Sequence, residues 1–212
     1  MYKGLEPNGG VCMRRFEYGW LQSLSWDMDI LSLIAGIYRA NGKEEVLLSQ
    51  SHAILDSLVE LAKVQSTEAS NAIEGIVTTS TRLRQLVADK TTPRNRDEQE
   101  IMGYRDALNV IHESYDSISL CGNHILQLHK ILYNYQFNAR GGQLKSVQNY
   151  ISATYPDGRT EVLFTPLAPY ETAEALDQIC AEYNRVVGNG EVEPLLAIPI
   201  FIHDFLCIHP FN

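Results

Sequence analysis

The residues best placed to do chemistry stand in the stretch "FLCIHPFN" at 205–212, where His209 emerges from the most apolar part of the chain. An imidazole with an ordinary pKa near ~6.5 can take a proton at neutral pH, so a histidine fixed at the lip of a pocket suits general-base work. Pro210 cannot continue a helix, and Phe211 offers an apolar anchor for the loop. A second cluster is "SNAIEG" at 70–75: Ser70 and Glu74 are four apart and share a helical face, and Gly75 can end the helix. A carboxylate at a helix C-terminus opposes the dipole, so Glu74 would gain from a cation supplied elsewhere.

Other candidates are weaker. His203 and Asp204, with His209 downstream, invite a metal-site reading, but six positions turn a helix by about 240°, whereas ligands on one helix want spacings of three or four. His203 is better read as a core histidine, and no metal ligand is assigned. "ARGGQLK" lacks both G-x-G-x-x-G and G-x-x-x-x-G-K-[ST], so its glycines read as loop punctuation. The four cysteines, at 12, 121, 180 and 207, form no C-x-x-C pair and read as reduced thiols.

Elements that position these residues are legible from periodicity. Ile30, Leu33, Ile34 and Ile37 predict a helix over about 26–40 with Gly42 as its stop, and a second follows from Leu47 to Ile73. Thr78, Thr79 or Ser80 can cap a short helix carrying Leu83, Leu86 and Val87. After the polar "KTTPRNRDEQE", Ile101, Tyr104, Leu108, Ile111 and Tyr115 give the cleanest helical signal, and Ile125, Leu128, Leu132 and Tyr135 repeat it. "VQNYI" and "EVLF" around "YPDGRT" predict a β-hairpin or flap. Helical spacing returns from Ala173 to Val187, and the apolar 195–208 helix comes last. Pro199 inside it implies a kink or a later start.

The 212 residues carry a net charge of −9, which argues against a surface that grips nucleic acid or anionic membrane. The longest apolar stretch is shorter than the roughly 20 residues of a membrane span, and the first thirty residues show no signal-type apolar core. A cytoplasmic protein is expected.

Taken together, "HPFN" and "SNAIEG" resemble two elements of the Fic family: the signature H-x-F-x-[DE]-G-N-G-R-x-x-R and the inhibitory helix [ST]-x-x-x-E-[GN]. "GGQLKSVQNYI" and "LFTPLAPYETAEAL" look like its flap and the link to the next helix, and "EPLLAIPIFIHDFLCIHPF" resembles the helix that delivers the motif. The resemblance implies an all-α, Fic-type helical bundle with a small β-hairpin flap, divided into an N-terminal helical region (1–55) and a Fic core (56–212) cut inside its own motif. It implies transfer of AMP from ATP, with Mg²⁺, to a hydroxyl of a target protein. His209 would be the general base. Phe211 and Asn212 would belong to the nucleotide-binding loop, and Lys145, Ser146, Val147, Gln148, Asn149, Tyr150 and Ile151 to the target-binding flap, by strand addition. Glu74 would pair with the signature's final arginine where the γ-phosphate must go, and Ser70 and Gly75 would secure that inhibitory helix. A homo-oligomer is possible on this reading. The alternatives are a non-catalytic helical interaction module, or the same fold used for phosphocholine transfer or AMP removal.

Overall fold

A computed structural model describes residues 16–48, 52–137 and 140–212. After a 3-10 turn at Gly19–Ser23 come α1 (Met28–Leu48), α2 (His52–Ile73), α3 (Ser80–Val87), α4 (Arg96–Ser114) and α5 (Gly122–Leu132). Strands β1 (Ile151–Thr154) and β2 (Thr160–Phe164) form an antiparallel hairpin, and α6 (Pro169–Gly188) and α7 (Pro194–Ile208) complete the described chain. The expected helical bundle with one hairpin is what the chain builds.

Packing runs in two connected halves. In the first, α4 contacts α2, α3 and α5, and the core there is Leu83, Leu86, Val87, Ile101 and Met102, with Val64, Ile76 and Tyr135 against it. In the second, α6 packs on α5 and α7 around Ala175, Leu176, Ile179, Cys180 and Ile208. Tyr18 and Leu21 lie buried against Val186, Val192 and Ala197, and Phe16 joins the core of α6 and α7. Residues 16–21 thus pack into the core of α6 and α7.

Local chemistry explains most boundaries. Thr79 caps α3 by accepting the Arg82 N–H, and Asn95 caps α4 by accepting the Glu98 N–H. Glu98 is 4% exposed and holds α4 to α3. It accepts from Arg82 Nε at 3.0 Å, Arg82 Nη2 at 2.6 Å and the Arg94 N–H at 2.8 Å. That guanidinium, helped by the Arg94 N–H, holds the Glu98 carboxyl down at about 2.

Three boundaries correct the sequence reading. Helix α1 passes through Gly42 to Leu48, because an interior glycine costs a helix only about 1 kcal/mol and does not force a stop. Helix α5 ends at Leu132, leaving Tyr135 in the following turn. Helix α7 starts at Pro194 and runs through Pro199, so the later-start alternative fails.

Candidate active site

His209 owes its conformation to its neighbours. A residue before proline is disfavoured in the right-handed helical region, and α7 closes at Ile208; His209 takes left-handed angles of φ 47° and ψ 67°, its N–H still donating to the Phe205 carbonyl at 2.9 Å. For a side chain with a Cβ this costs about 1–2 kcal/mol and persists only where the surroundings impose it.

The surroundings here are the segment between α5 and the hairpin. The Lys145 N–H donates to the Pro210 carbonyl at 2.8 Å and its Nζ to the Ile208 carbonyl at 2.8 Å. Asn149 Nδ2 donates to the Phe211 carbonyl at 3.0 Å. The Phe211 ring stacks on His129 with centroids 3.6 Å apart and planes 6° from parallel, and Phe205 tilts against it.

Burial first, and the Lys145 charge second, push the His209 pKa below its ordinary value. The imidazole is therefore neutral at pH 7, with a lone pair for a proton. His129 is neutral too: its Nδ1 accepts the Gly142 N–H at 2.9 Å, which places its proton on Nε2, and burial lowers its pKa.

Helix α2 ends by its own backbone. The Gly75 N–H reaches the Ala72 carbonyl and the Ile76 N–H the Asn71 carbonyl, with Gly75 at φ 75°, so the expected glycine stop is present as a paired 5→2 and 6→1 cap. Ser70 Oγ accepts from the Tyr104 hydroxyl at 2.9 Å, tying this end to α4.

Glu74 and Ser70 line a cleft of about 700 Å³ with Arg96, Glu100, Tyr133 and Gln136. Asn212 lines a cavity of about 140 Å³ with His129 and Arg140, and Tyr133 and Gln136 line that one too. Tyr133 and Gln136 thus line both the cleft of Glu74 and the cavity of Asn212. His209 lines neither space.

Of the seven expected flap residues only Ile151 lies in a strand. Ser146, Val147 and Tyr150 are exposed, whereas Lys145 and Asn149 turn toward the His209 loop and Gln148 Nε2 donates to the Pro166 carbonyl. A register built by strand addition is available at 151–154 and 160–164, where Val162 and Leu163 are exposed.

Other placements differ from expectation. His203 is 54% exposed rather than in the core, 3.6 Å from the carboxylate of Asp204, which is the buried member of the pair. The glycines of "ARGGQLK" are more than punctuation. A Cβ on Gly142 would meet Lys130 Cβ at 2.9 Å in a backbone of φ 77°, and one on Gly141 would meet Tyr133 Cβ at 2.8 Å. Sequence reasoning passed over His129, whose spacing of four from Tyr133 on α5 was the available signal.

The helical bundle with one small hairpin is similar to Fic folds of known structure. Residues 119–212 match the model of the Fic/DOC family. The fold is similar to that of a Fic domain containing signaling protein from Bacteroides thetaiotaomicron VPI-5482, with TM-score 0.69 and 21% identity over 82% of this chain and 65% of that one. It is also similar to a Fic family protein from Desulfovibrio desulfuricans G20, with TM-score 0.65 and 18% identity over 89% of this chain and 54% of that one. This chain thus spans less than two thirds of either protein. No curated protein matches it. Among the described residues no helix is long and apolar enough to cross a membrane.

Proposed function

We propose that the protein transfers AMP from ATP to a hydroxyl side chain of a target protein, with His209 as general base and Glu74 as the repressing residue. The observation that carries this reading is the His209 loop itself: a neutral imidazole held in a left-handed turn at the end of α7, inside the stretch that matches the Fic/DOC model.

His209 takes the proton of the target hydroxyl as its oxygen attacks the α-phosphorus. The bond from that phosphorus to the bridging oxygen breaks, and pyrophosphate leaves. Binding and charge neutralisation supply most of the acceleration in such transfers, and a positioned base contributes about 10²–10⁴. Mg²⁺ enters as the companion of ATP. No described residue is assigned to it, and among the described residues no three His, Cys, Asp or Glu side chains gather in a group that could hold a metal. The exposed edges of β1 and β2 offer the acceptor segment backbone partners. Glu74, from its cleft beside the shared Tyr133–Gln136 wall, represses by placing a carboxylate where the end of the triphosphate must lie.

The test is label transfer from α-labelled ATP, compared between the unaltered protein and His209→Ala. His209→Ala should lower incorporation by roughly 10² or more. Equal labelling with and without the imidazole would remove His209 from the chemistry.

A further inference from the structure

We infer that Lys145 is a positioning residue: from the root of the flap its ammonium and its backbone N–H grip the end of α7 on both sides of His209 and hold that residue in its left-handed setting. The catalytic consequence rests on His209 being the base; the grip does not.

The case begins with an anomaly of burial. Lys145 is 3% exposed, and lysine is seldom buried without a carboxylate beside it. Among the described residues no carboxylate pairs with it. Its Nζ donates instead to the Ile208 carbonyl at 2.8 Å and to Asn149 Oδ1 at 3.2 Å. The Ile208 carbonyl belongs to the last turn of α7, the negative end of the helix dipole, so the ammonium is offset by an uncapped helix terminus rather than by an anion.

The second contact fixes the other side. The Lys145 N–H holds the Pro210 carbonyl, so one residue bonds to the carbonyls flanking His209. Asn149 extends the grip by one residue, accepting from Nζ and donating to the Phe211 carbonyl. This arrangement provides the over-determination that a left-handed histidine requires. The root of the grip is itself fixed, since Gly142 donates to His129, on which Phe211 stacks. The flap and the base are therefore one mechanical unit.

The experiment is amide exchange on this 212-residue chain, resolved by peptide, for Lys145→Met, Lys145→Arg and Asn149→Ala. Lys145→Met should speed exchange over 205–212 at least tenfold while α2 to α4 keep their protection, and Lys145→Arg should restore most of it. An NMR titration adds a second readout. Among the described residues Lys145 is the charged group that lowers the His209 pKa, after burial, so His209 should titrate higher in Lys145→Met and unchanged in Asn149→Ala.

Unaltered exchange over 205–212 in Lys145→Met overturns the inference. If that variant fails to fold, Asn149→Ala, which keeps the ammonium, should still speed exchange over 205–209, where the His209 N–H is bonded to the Phe205 carbonyl, and no change there overturns it equally. None of these readouts needs enzymatic activity. A clamp that behaves as described while label transfer ignores His209 would sink the proposed function and leave the clamp standing.

Discussion

The ends of α7 and α2 carry the two residues on which the account depends, and they are held in opposite ways. Residues 208–211, at the end of α7, are bound by hydrogen bonds from Lys145 and Asn149 and by a ring stack on His129, all from other parts of the chain. The end of α2 is capped by its own backbone, reaches the rest of the molecule through Ser70, Tyr104 and Ile76, and leaves Ile73 82% exposed. A base needs fixed geometry, whereas a repressor must be able to leave. On the proposed reading, the difference suits those two tasks.

The strongest way to break this comparison is to loosen the half that holds the base. Leu176→Ala, at a position 1% exposed in the core of α6, should cost about 3 kcal/mol and lower the melting temperature by several degrees. Acid should act next, on α4, the helix against which α2 leans. The Glu98 carboxyl lies at about 2 when folded against an ordinary value of 4.5. Its contribution is complete above the ordinary value and is lost as pH falls from there toward 2. Glu98→Gln should flatten that part of the stability–pH curve, which acid titration followed by circular dichroism would show.

A smaller effect is expected at the cap of α2. Gly75→Ala puts a Cβ at φ 75° and should cost about 1 kcal/mol, seen as faster exchange at 70–76 with 205–212 unaffected. Smallest of all, Leu33→Ala on the 68%-exposed face of α1 should change stability by no more than about 0.5 kcal/mol.

What was legible in the sequence follows the same division. Periodicity located every α-helix from α1 to α7, because amphipathic spacing and signals such as a cap among Thr78, Thr79 and Ser80 or the Gly75 stop are local. Helix ends set without a strong terminator, at Gly42 and Tyr135, were misplaced. His209 and Phe211 were visible because proline and an apolar helix mark them in the chain. The roles of Lys145 and His129 were not, since each depends on contacts 63 and 82 residues away in sequence, and no local pattern reports those. His203 misled for a related reason: an apolar run does not say which of its positions face outward.

The most direct test of the central claim is AMP incorporation from α-labelled ATP, compared among the unaltered protein, Glu74→Gly and Glu74→Gly with His209→Ala. The account predicts low incorporation in the first, a rise of roughly tenfold or more in the second, and a fall of roughly 10² or more from that level in the third. Incorporation that ignores Glu74, or that is unchanged by the loss of the imidazole, would contradict it.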